Sequence, residues 1–324
     1  MNFKVVPYQS SYHSLWNEFV AKAKNATFLF HRDFMEYHND RFDDFSLMVY
    51  KEEVLIAVLP ANKNEVGVYS HQGLTYGGIV VKNGIRMPDF TAAFRAILIY
   101  LNSFGIQELV IKEIPLFYTE QFSDEMKYLA FIMKAEVIRK DICSVIRLDR
   151  PFTVSKSVKR DVNNAQRRGL EIEREGDVDV FWENILEPNL MSKFGKKPVH
   201  SVEEIQLLKK RFPNNIFQFN VLEDQKVIAG TTVFVTNRVV HAQYISIDHE
   251  VEKTGVLDFL YSALMEEYSD DKEYFDFGIS NENEGRNINQ GLLFWKEKFG
   301  AQIVVQEFIK FDCNNYPLLD TIFI

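Results

Sequence analysis

The segment YFDFGIS (residues 274–280) combines an apolar side with a side that could do chemistry. Successive side chains of a strand point to opposite faces, so the apolar residues share one face while Asp276 and Ser280 share the other. A carboxylate inside a buried strand needs a hydrogen-bonding partner or a chemical task. Asp276 is therefore either a structural anchor or part of an active site.

A lysine follows in the next predicted helix. The sequence NENEGRNINQGLLFWKEKFGA predicts a helix over 286–299, with Ile288, Leu292, Trp295 and Phe299 on its buried stripe. Lys296 lies at the edge of that stripe. It either covers apolar surface with its methylene stem or directs its charge at a phosphate or at a developing transition-state charge.

His241 is the best candidate for a base. The predicted strand RVVHAQYISID places Gln243 on the same side as His241 and Tyr244 on the opposite side. A neutral imidazole can take the proton of an attacking amine near neutral pH. The alternative is a histidine that makes only a structural hydrogen bond.

Positive charge is concentrated in the helix predicted over 155–168, although the formal net charge of the chain is −9. One face of this helix presents Lys156, Lys159, Arg160, Asn163 and Arg167. This basic face is either a solvated outer surface or a surface that binds phosphate groups. Because the whole chain is acidic, contact with RNA would require such a patch.

Two further loops are candidates for binding. The loop SKFGKKPVHS carries Lys197 and His200 before a helix that Ser201 can cap. In the first half, SHQGLTYGGIVV carries His71 and Tyr76 beside two glycines that would let a ligand approach the backbone. An ordinary surface loop and a tight hairpin turn are the respective alternatives.

The sequence lacks the motifs of serine hydrolases, zinc proteases, P-loop nucleotide-binding proteins and dinucleotide-binding proteins. The sequence has no GxSxG, HExxH, GxxxxGK[ST] or GxGxxG pattern. Its two cysteines, Cys143 and Cys313, lie far apart with no clustered histidine, which argues against a metal site and a disulfide framework. The sequence therefore predicts a metal-independent protein of the reducing cytoplasm.

The elements that position these residues form two similar halves. Each half runs from strands to helix, strand, helix and strand, and the polar turn at Asp149–Phe152 separates them. We expect α/β domains over 1–150 and 151–324, with mixed sheets covered by helices. The N-terminus lacks the pattern of a signal peptide. The sequence has no run of about 18 apolar residues, so it predicts no membrane-spanning helix. Peripheral attachment to a membrane stays open.

Both halves of the sequence resemble a known family, most strongly from about Lys156 to Ala301. FDFGIS with the GLxxxKExFGA helix, the basic helix SVKRDVNNAQRRG and the hairpin IAGTTVFVTNRVVHAQYIS are similar to the tandem acyltransferases related to the FemAB aminoacyltransferases, within the superfamily of GCN5-related N-acetyltransferases (GNAT). The resemblance implies two GNAT-like domains facing across a cleft, the first on the acceptor side and the second on the donor side. It also implies direct attack of an amine on an activated carbonyl.

One motif departs from that superfamily. Its acetyl-CoA-dependent members hold the pyrophosphate on a glycine-rich turn before a helix, whereas the corresponding stretch HEVEKTGVLDFL retains only Gly255 among acidic residues. Acyl-CoA such as acetyl-CoA, aminoacyl-tRNA and an acyl carrier are all compatible donors, and the net negative charge weighs against tRNA.

We therefore expect an N-acyltransferase or aminoacyltransferase. His241, or a water near Asp276, would deprotonate the amine, and backbone N–H groups with Lys296 would stabilise the oxyanion. By the resemblance, the acceptor is an amino sugar or a peptide of the cell envelope. The alternative is a catalytically inactive module that retains the fold and binds a ligand; the sequence does not indicate the oligomeric state.

Overall fold

The computed structural model of the chain describes residues 2–252 and 255–324, and only the backbone of Phe194. These residues form two compact units. Unit 1 comprises the chain up to Asp141 together with Asn283–Arg286 and Val305–Ile324, and unit 2 comprises Ile142–Glu282 and Asn287–Val304. The C-terminal segment thus belongs to unit 1, and the domain boundary expected near residue 150 stays a prediction.

The helices of the described part are given in chain order. A π-helical turn, Trp182–Leu186, connects the sixth helix to the seventh. They are α1 His13–Val20, α2 Arg32–Met35, α3 Met87–Ser103, α4 Glu125–Ile132, α5 Lys156–Arg167, α6 Val178–Phe181, α7 Glu187–Phe194, α8 Val202–Arg211, α9 Val256–Tyr268 and α10 Gln290–Glu297.

The strands alternate with these helices, which confirms the mixed α/β class. They are β1 Phe3–Pro7, β2 Asp43–Asp44, β3 Leu47–Lys51, β4 Val54–Leu59, β5 Asn62–Lys63, β6 Val68–Tyr69, β7 Val80–Val81, β8 Glu108–Lys112, β9 Glu136–Arg147, β10 Glu171–Arg174, β11 Ile216–Glu223, β12 Lys226–Val235, β13 Val239–Ile247, β14 Tyr274–Ile279, β15 Asn281–Glu282, β16 Asn287–Ile288 and β17 Gln302–Asp312.

Unit 2 is built on a mixed sheet with the order β10-β11-β12-β13-β14-β9, the last strand contributing its C-terminal half. The pairs β11–β12 and β12–β13 are antiparallel hairpins closed by short polar turns, and the second of them is the hairpin predicted from the sequence. By contrast β13 and β14 pair in parallel, with α9 between them in the chain. This parallel pair carries the residues described below.

Local signals place the helices of unit 2. Ser155 begins α5, where its side chain accepts a hydrogen bond from the Val158 N–H at 3.4 Å. Ser201 begins α8 in a capping box with Glu204. The C-terminal stop of α5 is Gly169, whose φ of 77° is the left-handed conformation that favours glycine.

The two faces of this sheet differ in polarity. One face forms an apolar core with α5 and α9, in which Val158, Leu260 and Phe275 are completely buried. The other face carries buried polar residues beneath the π-helical turn, where the Trp182 indole N–H donates to the Thr232 hydroxyl at 3.1 Å. The polar face therefore offers hydrogen-bonding groups, whereas the apolar face supplies stability.

Unit 1 has its own core. The antiparallel sheet β1-β3-β4-β7 packs against α3, and the strands β17-β8-β6-β5-β2 pair in that order. Buried members of this core include Leu47, Phe94, Leu98 and Phe311. Both units are thus helix-covered mixed α/β structures.

The helix predicted over 286–299 is shorter than expected. It begins at Gln290, where the Asn289 side chain caps it, and ends at Glu297. Ile288, predicted on its buried stripe, lies in β16 and is 52% exposed. The turn Asn283–Arg286 and the β15–β16 pair take up the residues before the cap.

Candidate functional site

His241 and Asp276 lie opposite each other in the parallel pair β13–β14. His241 Nδ1 and Asp276 Oδ2 are 2.9 Å apart, and both residues are buried. An ionised Asp276 only accepts hydrogen bonds, so Nδ1 carries the proton and Nε2 is the ring nitrogen that can accept one. This is the arrangement of an oriented base.

The ladder between β13 and β14 ends at this pair. Three residue pairs connect the strands, from Val239 with Tyr274 to His241 with Asp276, although β13 continues to Ile247 and β14 to Ile279. Beyond His241 the strands no longer pair in parallel. The histidine therefore stands at the point where the parallel pairing of these two strands ends.

A β-bulge in β13 changes the predicted orientation of Tyr244. Thr232 and Phe234 share one face of β12, and their cross-strand partners are Tyr244 and His241. Tyr244 therefore lies on the same face as His241, and its predicted placement on the opposite side is wrong. The register shift leaves Gln243 as the extra residue of the bulge.

Tyr244 is bonded to the candidate loop residue His200. The Tyr244 hydroxyl and His200 Nδ1 are 2.5 Å apart, and the Trp182 ring packs edge-on against the tyrosine at 4.6 Å. Burial raises the pKa of Tyr244, so it stays neutral at physiological pH. Lys197 is exposed in the same loop.

Directly after Asp276, the last residues of β14 form a bulge where the strand shifts its register against β9; we call it the Gly278 turn (residues 276–279). The φ of Gly278 is 72°, and its N–H donates to Asp276 Oδ1 at 2.7 Å. A Cβ added at this position would lie 3.3 Å from His241 Cε1. The turn therefore gives the carboxylate its second hydrogen bond and needs a residue that tolerates this conformation.

Lys296 extends from α10 to the same turn and is 3% exposed. Its Nζ donates to the carbonyl oxygens of Gly278 at 2.9 Å and Ile279 at 2.8 Å. Burial lowers the pKa of Lys296 to about 8, although Asp276 opposes that shift. Ser280 is also buried, and its hydroxyl has no hydrogen-bond partner among the described residues.

The basic face predicted for α5 is exposed along its length. Lys156, Lys159, Arg160, Asn163 and Arg167 are all solvent-accessible. Arg168 is not part of this face, because its guanidinium makes two 3.0 Å bonds to Glu223.

Gly255 is the N-cap of α9, and the helix α9 packs against α5. A Cβ at Gly255 would lie 2.4 Å from the Asp161 carbonyl oxygen. In the first turn of α9, Asp258 is buried, and burial followed by the negative charge of Asp161 raises its pKa despite the nearby Lys298. Lys253 and Thr254 of the same predicted turn lie outside the described residues.

A buried carboxylate in the first turn of α9 disfavours the binding of an anion at this helix N-terminus. The described residues of this turn do not fit the pyrophosphate of CoA. The sequence already shows acids around Gly255, but the burial of Asp258 depends on the packing of α9 on α5.

The two candidates of the first half belong to unit 1. Tyr76 is buried and hydrogen-bonds the Thr27 hydroxyl at 2.9 Å. His71 is buried against the parallel ring of His38, at 5.1 Å between ring centroids. Burial lowers the pKa of His71 to about 3, so it is neutral at physiological pH. Nothing in these contacts assigns either residue to catalysis.

Sequence reasoning misses two residues of the site. Gly278 is visible in the sequence only as a small residue in a strand, and a glycine before a polar loop is a weak signal for a turn. Thr232 lies in an apolar strand and hydrogen-bonds Trp182 and Gln218. Its partners come from distant segments, so no local pattern could identify it.

Among the described residues, no group of three or more histidine, cysteine or acidic side chains could hold a metal ion. Within the same residues, no helix has both the length and the apolar character needed to cross a membrane.

Comparison with known proteins identifies the fold. Residues 155–286 match the family model of the acetyltransferase (GNAT) domain, and no curated protein matches the chain. The crystal structure of FemX is 12% identical and aligns with a TM-score of 0.66 over 98% of this chain and 99% of its own.

Two other solved structures agree. L-PGS from Bacillus licheniformis is 14% identical, with a TM-score of 0.56 over 82% of this chain and 85% of its own. A tandem GNAT protein from the clavulanic acid biosynthesis pathway is 11% identical, with a TM-score of 0.54 over 96% and 99%. Residues 155–286 therefore match the GNAT domain model, and the chain has the fold of these tandem GNAT structures.

Proposed function

We propose that the chain is an N-acyltransferase or aminoacyltransferase that moves an acyl group from an activated donor to an amine. The observation that carries this proposal is the buried His241–Asp276 pair at the end of the β13–β14 ladder. The GNAT domain match over 155–286 supports the same reaction class.

The reaction is direct attack of the amine on the donor carbonyl. His241 Nε2 takes the proton of the amine while the new C–N bond forms, and Asp276 stabilises the resulting imidazolium. The bond between the carbonyl carbon and the leaving group then breaks, and His241 returns the proton to that group. Backbone N–H groups along β13 beyond His241 stabilise the oxyanion.

As donors we propose acyl-CoA, such as acetyl-CoA, or aminoacyl-tRNA. The buried Asp258 and the adjacent Asp161 disfavour a CoA pyrophosphate at α9, whereas the exposed cations of α5 offer a local phosphate-binding face for either donor. The acidic net charge opposes tRNA at long range.

The acceptor follows from the family resemblance. We propose an amino sugar or a peptide used in building the cell envelope, modified in the cytoplasm. The candidate residues on the acceptor side are His71 and Tyr76 of unit 1, and those on the donor side are Lys197, His200, Gln243 and Tyr244 of unit 2.

Binding of the donor can be tested before the acceptor is known. Thermal unfolding is followed with acetyl-CoA, CoA, charged tRNA and uncharged tRNA, because a ligand of the native state raises the melting temperature. A shift with tRNA that disappears in Lys159→Ala and at high salt supports the α5 face. A shift with CoA that persists in this variant contradicts our assessment of the α9 turn.

A catalytically inactive binding module is the second candidate, and the acid-lined turn at Gly255 favours it. Mass spectrometry separates the two functions when the protein is incubated with a bound donor and a panel of amines. An acylated amine supports the transferase, whereas donor binding with no product from any amine of the panel supports the module.

A further inference from the structure

The hydrogen bonds of Lys296 are unusual for a buried lysine. Its Nζ donates to two backbone carbonyl oxygens, those of Gly278 and Ile279. Burial of an ammonium is costly unless hydrogen bonds compensate for lost hydration. A lysine retained at this position therefore stabilises the particular backbone conformation that presents these two oxygens.

That conformation is the Gly278 turn. The Gly278 N–H is held by Asp276 Oδ1 at 2.7 Å, and its carbonyl oxygen is held by Lys296 at 2.9 Å. The two sides of one glycine residue are thus fixed by two side chains, and Asp276 in turn holds His241. The chain of contacts runs from Lys296 through Gly278 and Asp276 to His241.

We propose that Lys296 is a positioning residue, which fixes the Asp276 carboxylate, and through it the His241 ring, by holding the Gly278 turn. The inference rests on the proposed function in so far as His241 is the base. It replaces the expectation that Lys296 stabilises the oxyanion directly.

Deprotonation distinguishes the two roles of Lys296. A neutral amine keeps two N–H donors, enough for both carbonyl oxygens, so the positioning role persists above the lysine pKa of about 8. A role as a cation would end there. The titratable groups that face the ammonium are Asp276 on β14 and Cys143 on β9, with His241 on β13 beyond Asp276.

The first experiment compares Lys296→Met with Lys272→Met. Lys272 also donates to a backbone carbonyl oxygen, that of Asn237, but at the opposite end of β13 and β14. We expect Lys296→Met to lower kcat about 100-fold with little change in KM, and to mix the two ring tautomers of His241 in nitrogen-15 NMR spectra. We expect Lys272→Met to leave kcat and the His241 tautomer unchanged.

The second experiment needs no variant and no activity. The NMR tautomer of His241 in the wild-type protein is followed from about pH 7 to 9.5, a range that spans the lysine pKa of about 8. Persistence of the Nδ1–H form, together with mixed tautomers in Lys296→Met, supports the proposal. Its loss as Lys296 deprotonates would show that the ammonium charge, and not the two hydrogen bonds, sets the tautomer, which overturns the proposal. The proposal is also overturned if folded Lys296→Met keeps the wild-type tautomer. If the tautomer responds as predicted but no variant alters transfer, the positioning stands and the proposed function fails.

Discussion

Replacement of Asp276 by asparagine exchanges one carboxylate oxygen for an amide nitrogen at the centre of the site. The oxygen that remains can still accept from the Gly278 N–H, so the turn is retained. The other oxygen, which accepts from His241 Nδ1, becomes an amide group that only donates. The histidine then moves its proton to Nε2, the atom that must take the proton of the amine.

The size of the effect follows from these contacts. A hydrogen bond to a charged group contributes about 1.5–3 kcal/mol, which is about 10- to 200-fold in rate if it acts only in the transition state. Loss of general-base catalysis costs about 10²- to 10⁴-fold. From the second range we expect Asp276→Asn to lower kcat about 10³-fold. The free energy of unfolding changes by only about 1 kcal/mol, because the lost bond is offset by removal of a buried charge.

The assay measures acylated amine under saturating donor. Glu273→Gln is the matched control, since it removes a carboxylate that pairs with Arg238 at the other end of β14. The control should keep wild-type kcat. A folded Asp276→Asn variant with more than about one tenth of wild-type kcat would refute the assignment of His241 as an oriented base.

Three further predictions concern stability. His38 and His71 are buried with pKa values of about 4 and about 3. In the unfolded state the histidines titrate at about 6.5, so below that pH the unfolded state binds more protons than the folded state. The free energy of unfolding should therefore fall as the pH drops from about 6.5 towards about 4. Equal free energies of unfolding from urea titrations at about pH 7 and about pH 5 would contradict this. Burial raises the pKa of Asp258, so its charge disfavours folding at neutral pH. Asp258→Asn should therefore raise the melting temperature. A lower melting temperature would show instead that the carboxylate stabilises α9. Gly77→Ala should unfold unit 1, because the added Cβ would lie 1.5 Å from the Ser70 backbone oxygen. Gly84→Ala has no atom within 4 Å of the added Cβ, so it should lower the free energy of unfolding by only about 1 kcal/mol. Equal melting temperatures of the two variants in circular dichroism would refute this packing argument.

Elements with strong local signals could be predicted from the sequence. The helix predicted over 155–168 and the cap predicted at Ser201 agree with α5 and α8, and the hairpin β12–β13 follows from a short polar turn between two apolar runs. Side-chain oxygen caps and left-handed glycines act within a few residues, so the signal is contained in the local sequence.

The site depends on long-range register and could be predicted only in part. The sequence singles out His241 and Asp276 separately, but their 2.9 Å contact depends on the parallel alignment of two strands that are separated by α9. The predicted orientation of Tyr244 is wrong because a bulge breaks strict alternation. The acceptors of Lys296 are backbone oxygens, which carry no sequence identity.

The catalytic roles of these residues stay predictions, and one measurement tests the central claim most directly. The rate of amine acylation is measured for wild-type protein and for His241→Gln, with the donor that raises the melting temperature. We predict that the wild-type protein forms the acylated amine and that His241→Gln, while folded and still stabilised by the donor, forms it at least about 100-fold more slowly. Equal rates would contradict the assignment of the His241–Asp276 pair as the catalytic base.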